Sequence, residues 1–144
     1  MGEMMMRRAV VIVLLISIIS TLILSGCEEK INNEGSYFNN IYFDGGGIFK
    51  LIVGNLTYIT HKGEVVAAKV TMLFQNIADR TISANVSVVL YDKNDTILYS
   101  TSKQFYNYPP GYRDQSVLPA NTVTYDGDDA YKVDHVSITV REIT

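Results

Sequence analysis

The sequence predicts an all-β protein: an immunoglobulin-like antiparallel β-sandwich of about six or seven strands over residues 48–144, preceded by a signal-peptide helix and a flexible linker. Three observations predict it. From Ile48 onward apolar residues recur with a period of two, the signature of half-buried strands. Those runs are separated by clusters of Asn, Asp, Gly and Pro. No segment after residue 27 carries a convincing helical stripe. A length of 144 residues allows about one domain. With 47% hydrophobic and 19% charged residues, the chain sits in the globular range.

The first element is a targeting segment, residues 1–26. Arg7 and Arg8 supply a basic start, and residues 9–24 are uncharged and almost wholly aliphatic. Leu24-Ser25-Gly26 then places small side chains before Cys27, the single cysteine of the chain. That order matches a secretory signal: charge, apolar core, small residues at the cleavage site. As an uncleaved transmembrane anchor the apolar stretch is short, since a helix over it spans roughly 24 Å against a hydrocarbon core of about 30 Å. An ordinary secreted protein with an incidental free thiol is a further alternative and ranks lowest, because unpaired cysteines are unusual in exported proteins. Either membrane reading places the C-terminal domain outside the cytoplasm.

Over residues 7–27 the chain resembles a prokaryotic lipoprotein signal peptide with its lipobox. The resemblance implies cleavage after Gly26, a covalent lipid on Cys27, and a mature protein that starts at Cys27. The membrane lipid is then the first partner, and the location is the outer face of the cytoplasmic membrane.

Residues 27–47 read as a lipid-anchored flexible linker. Glu28 to Ser36 is polar and without a period, and Asn39-Asn40 and Asp44-Gly45-Gly46-Gly47 are loop signals. Tyr37, Phe38, Tyr42 and Phe43 interrupt that polarity, so part of the linker is open to packing on the domain. The three glycines make no phosphate loop, for no Lys-Ser or Lys-Thr follows them. They read as a hinge.

The strands follow in order. Phe49, Leu51 and Val53 lie on one face of the first; Val66, Ala68, Val70, Met72 and Phe74 mark the second. Ile82, Ala84, Val86, Val88 and Leu90 mark the third, alternating with Ser83, Asn85 and Ser87. Residues 97–106 continue with many Ser and Thr; Val123 and Tyr125 mark a short strand; Val136, Ile138 and Val140 mark the last. Turns are expected at His61-Lys62-Gly63-Glu64, at Asn76 to Arg80 and at Asp92-Lys93-Asn94-Asp95, where Asn or Asp takes the left-handed conformation. Pro109-Pro110-Gly111 forces a longer crossing.

Val88-Val89-Leu90-Tyr91-Asp92 followed by Lys93-Asn94-Asp95 resembles the FxLYD-type domain motif, with Val88 where that family has Phe. Leu118-Pro119-Ala120-Asn121 is similar to the Leu-x-Pro-Gly turn of such domains, with Ala for Gly. The resemblance covers roughly residues 50–143. It implies a sandwich domain of exported prokaryotic proteins and transfers no catalytic residue.

Candidate chemistry is sparse. A net charge of −3 gives no basic surface for nucleic acid. One cysteine excludes a disulfide scaffold and a CxxC site. His61 and His135 have no partner at metal-ligand spacing and read as solvated side chains, and there is no HExxH or GxSxG. Asp126-Gly127-Asp128-Asp129, with Asp134, is the sharpest acidic cluster. Calcium would use such oxygens, but Ala130 and Ser137 stand where an EF-hand loop needs ligands, so a polar turn is the expectation. Phe105, Tyr106, Tyr108 and Tyr112 around Pro109-Pro110-Gly111 are the candidate binding loop for a glycan or protein, set against a role as a lid on the core. Three triplets, starting at Asn55, Asn85 and Asn94, match glycosylation acceptors, a pattern that Thr- and Ser-rich strands produce by chance.

The expected function is that of a non-enzymatic, membrane-anchored lipoprotein whose sandwich is an interaction or accessory module at the cell surface, with no cofactor beyond the lipid. A small solute- or ion-binding lipoprotein is the alternative, though residues 48–144 leave little room for two closing lobes. A small hydrolase using Asp126, Asp128 or Asp129 with His135 ranks last, because nothing in the sequence orients an acid–base pair.

Overall fold

The computed structural model describes residues 36–38 and 40–143. The expected signal segment (residues 1–26), the expected lipidation site Cys27 and residues 28–35 lie outside the described residues. Among the described residues eight strands are formed: β1 (Ser36–Phe38), β2 (Ile41–Asp44), β3 (Phe49–His61), β4 (Glu64–Asn76), β5 (Ile82–Tyr91), β6 (Ile97–Tyr108), β7 (Thr122–Tyr125) and β8 (His135–Glu142). One sheet has the order β1-β2-β8-β5-β6 and the other β3-β4-β7. The two face each other as an immunoglobulin-like sandwich, and six strands, β3 to β8, follow residue 48 where about six or seven are expected.

Period-two patterning explains the core. Ile82, Ala84, Val86, Val88 and Leu90 of β5 are fully buried, while the residues between them are half-buried. β8 repeats this with Val136, Ile138 and Val140. Val70, Met72 and Phe74 of β4 meet them from the other sheet. Each of these Val, Ile, Leu, Met and Phe side chains contributes roughly 1.5–3 kcal/mol relative to exposure. Phe74 is the aromatic centre: its ring lies 5.6 Å from Phe49, 6.0 Å from Phe43 and 5.4 Å, edge-on, from Phe105.

Two expectations need correction. The sandwich begins before residue 48: β2 pairs in parallel with β8, Ile41 opposite Val136 and Phe43 opposite Ile138. Ile41 and Phe43 are core residues, at 0% and 7% exposure, so this part of the expected linker is a strand. A four-residue strand between two polar turns has too few alternations to read from sequence, and its parallel pairing breaks the expected all-antiparallel order. The glycines after it are no hinge. The Gly45 carbonyl accepts from Ile48 N and Phe49 N, each at 3.1 Å, and Asp44 Oδ1 accepts from Gly46 N at 3.0 Å.

Turn chemistry follows residue type. Lys62 and Gly63, both at positive φ, close the β3–β4 hairpin, as a primed two-residue turn requires. Asp95 takes the left-handed position in the β5–β6 turn. The sandwich therefore has two distinct ends. The β3–β4 turn, the β5–β6 turn and the start of β8 lie at what we call the His135 end. The Gly45–Gly47 turn, the β4–β5 loop, the Pro109-Pro110 loop and the end of β8 lie at the Tyr112 end.

Candidate functional site

The expected binding loop resolves into two kinds of residue. Phe105 is 4% exposed and packs in the core, so it presents nothing to a ligand. Tyr108 is half-buried, its ring 5.1 Å from Phe49 and 5.0 Å, edge-on, from Tyr112. Tyr106 and Tyr112 remain exposed, at 57% and 44%. Tyr106 donates its hydroxyl to Gln104 Oε1 on its own strand.

A buried polar hub, which the sequence did not reveal, fixes that loop. Asp114 Oδ2 accepts from Phe74 N at 2.9 Å and from Asn121 Nδ2 at 3.0 Å, and Oδ1 accepts from the Tyr108 hydroxyl at 2.7 Å. Asn76 is fully buried. Its Nδ2 donates to the carbonyls of Arg80, Tyr108 and Pro109 at 2.8, 2.8 and 3.0 Å, and its Oδ1 accepts from Ala78 N at 2.9 Å. Buried polar groups persist where such partners satisfy them. Among the described residues no buried side-chain nitrogen or oxygen lacks a partner. Burial first, then the hydrogen bond and charge of Asp114, push the Tyr108 phenol well above the ordinary tyrosine range.

At the His135 end an open groove of about 290 Å³ lies between the β5–β6 turn and a short 3-10 turn, Ala130–Lys132. Asp92, Lys93 and Asn94 form one wall; Tyr131, Lys132 and Val133 form the other. The Leu90-Tyr91-Asp92 motif builds the first wall. Leu90 is buried, Tyr91 stacks on the His135 ring at 5.1 Å and 7°, and Asp92 Oδ1 accepts from Asn94 N at 2.8 Å and Thr96 N at 2.9 Å. Those backbone donors, Thr96 first, hold the Asp92 carboxyl below its usual range. The second wall is tied down by the Tyr58 hydroxyl, which donates to the Val133 carbonyl at 2.7 Å. Tyr131 is 60% exposed and offers its ring to the groove.

The candidate metal residues do not converge. Asp129 pairs with Lys132 at 2.7 Å, and Asp134 lies 3.2 Å from His135 Nδ1. Among the described residues no group of three or more His, Cys, Asp or Glu side chains is placed to hold a metal ion. Asp126 and Asp128 lie in the turn between β7 and the Ala130–Lys132 turn. His135, half-buried, sits between Asp134 on Nδ1 and Asp95 on Nε2, each at 3.2 Å. Both ring nitrogens face carboxylate oxygens. The ring thus joins the β5–β6 turn to the start of β8. Asp95 was absent from the sequence-derived candidates because it reads as a turn residue; only the fold brings it to His135.

Comparison of the chain with protein-family models, with curated proteins and with solved structures returns no match. Among the described residues no helix is long and apolar enough to cross a membrane.

Proposed function

We propose that the chain is a prokaryotic membrane lipoprotein with an FxLYD-type domain, held by a lipid on Cys27, whose sandwich acts as a non-enzymatic interaction module on the outer face of the cytoplasmic membrane. The observation that carries the reading is Ser25-Gly26-Cys27, with the sole cysteine, at the end of an uncharged apolar stretch behind Arg7-Arg8. Stable anchoring takes about two chains at roughly 0.8 kcal/mol per buried CH₂, which a diacyl- or diether-type lipid on Cys27 supplies. The sandwich supports the module role: among the described residues the buried polar side chains Asn76, Asp114 and Asn121 hold loops, and an open groove carries an exposed tyrosine. A groove of about 290 Å³ lies at the lower edge of small-molecule sites, roughly 300–1,000 Å³. It suits a sugar ring or a side chain of a cell-surface protein better than an enclosed solute.

The test is Cys27→Ser in the producing cell, with intact-mass measurement of both chains. The wild type is expected in the membrane fraction at the mass of residues 27–144 plus lipid, and the variant in the soluble fraction. A wild-type chain of unprocessed mass with an unmodified thiol would instead establish the uncleaved anchor.

A further inference from the structure

We propose that the free edge of β3 is a docking site for an extended acidic segment of a partner protein, which pairs with it as an added strand. This deepens the interaction-module reading by giving the kind of partner, and it depends on neither the lipid anchor nor the groove.

Backbone geometry is the first argument. β3 is 13 residues long and stands at an edge of the sheet β3-β4-β7. Among the described residues its backbone pairs with β4 alone. Val53 to Ile59 match Leu73 to Ala67 one to one, an unbroken ladder between two register shifts. Alternate N–H and C=O groups of an edge strand point away from its single partner, and an added strand satisfies them.

The other edges are short or guarded. β1 has three residues and β7 four. β6 is long, but Lys103 stands on its inward side, opposite the fully buried Val86. On β3, Leu51 to Thr60 contain no charged residue and no proline. Val53, Tyr58 and Ile59 are exposed there instead. A long, uncharged edge of this kind invites pairing.

Charge selects the occupant. Leu56 packs against the core, so Val53, Asn55, Thr57 and Ile59 alternate onto the outer face. Lys69, opposite Thr57, lies on that face. Lys50 lies there too, between the buried Phe49 and Leu51, and Arg113 shares its row across Gln75. Among the described residues none of these three cations is in an ion pair. The three strands hold one carboxylate, Glu64, at the first position of β4. The face is thus cationic on a chain of net charge −3. A second copy of the chain would bring like charges to the seam, which destabilises cross-strand pairing. A strand with carboxylates on its outer face and apolar residues on its inner face, beside Leu56 and Tyr58, complements both sides.

The probe is a fluorescein-labelled peptide that alternates Val and Glu; its counterpart alternates Val and Lys. Each is titrated into the full chain, purified in detergent, and into its Lys50→Glu/Lys69→Glu variant. We expect the Glu peptide to bind the wild type at least about tenfold more tightly than the Lys peptide, and the order to reverse in the variant. Hydrogen exchange of the wild type should slow at least about fivefold across Val53 to Ile59 with the Glu peptide, and stay unchanged in β6. Absence of binding, or equal affinity of the wild type for both peptides, overturns the proposal. Protection on residues 92–94 and 130–133 instead also overturns it, and leaves the module reading standing at the groove. So does protection of Val53 to Ile59 that rises with the chain's own concentration and needs no peptide, since the occupant is then a second copy. The two wild-type measurements decide the matter even where the double variant fails to fold.

Discussion

The Tyr108 hydroxyl donates to Asp114 Oδ1 at 2.7 Å, across a loop that also carries Pro109, Pro110 and Gly111. The same carboxylate receives Phe74 N and Asn121 Nδ2 on its other oxygen. One side chain thus links the end of β6, the middle of the Pro loop, the edge of β4 and the turn before β7. Asp114→Ala leaves those donors without an acceptor, and we expect a loss of about 3–5 kcal/mol in urea unfolding. Tyr108→Phe removes one bond, to a charged acceptor, and should cost about 1–2 kcal/mol.

The Tyr108 phenol also sets an alkaline limit. Its folded-state pKa is raised above the ordinary value of 10.0, so the native chain holds this proton more tightly than the unfolded chain. The associated stability is fully present below about pH 10 and is lost as pH rises toward the folded value. Ultraviolet titration of the native protein just above pH 10 should therefore show the same tyrosinate amplitude in wild type and Tyr108→Phe. A smaller amplitude in the variant would mean that Tyr108 ionises with the exposed tyrosines.

Asn76 gives a prediction whose sign runs against size. Its amide donates to three carbonyls, and a carboxylate in its place would face the same oxygens with no proton to offer. Asn76→Asp, nearly isosteric, should destabilise more than Asn76→Ala: about 4 kcal/mol or more against about 2–3. Thermal unfolding of the two variants decides the order.

The strand pattern was legible because burial and sequence alternate together. Ile82 to Val88 and Val136 to Val140 have one apolar residue in two, the spacing of a half-buried strand. β2 was not legible: Ile41 and Phe43 acquire their partners Val136 and Ile138 from the far end of the chain. Phe105 falls within the strand run 97–106 but groups with the tyrosines around Pro109-Pro110-Gly111, and the pairing with Ala84 places it on the inward face. Asp114 and Asn76 carry polar labels typical of loops; their burial is a property of the assembled hub. The groove has the same origin, since Asp92 and Tyr131 are distant in sequence and each belongs to an ordinary turn.

The glycine turn after β2 should be rigid in a position-specific way. A Cβ on Gly45 would lie 2.0 Å from the Phe49 carbonyl oxygen, so Gly45→Ala forces the backbone apart. Gly47 has φ +71 and nothing within 4 Å, so Gly47→Ala meets only the left-handed penalty, about 1 kcal/mol. Gly45→Ala should cost at least about 2 kcal/mol by chemical denaturation. Equal effects at the two positions would show that the turn yields as a hinge does.

Lys103 lies on β6, the edge strand of the five-stranded sheet, directly opposite the fully buried Val86. Its stem therefore follows the inward face, and its ammonium reaches the Pro119 carbonyl of the opposite side at 3.2 Å. A charge placed inward on an edge strand discourages a second chain from adding to the sheet, because pairing would strip water from it. Lys103→Val removes that penalty and extends the apolar face toward the free edge. We expect the variant to unfold within about 1 kcal/mol of wild type, yet to self-associate. Sedimentation velocity over a concentration series should show dimers or larger species in the variant and not in the wild type; a variant that sediments like wild type at every concentration would place protection of the edge elsewhere, in the Ser- and Thr-rich sequence of β6 itself.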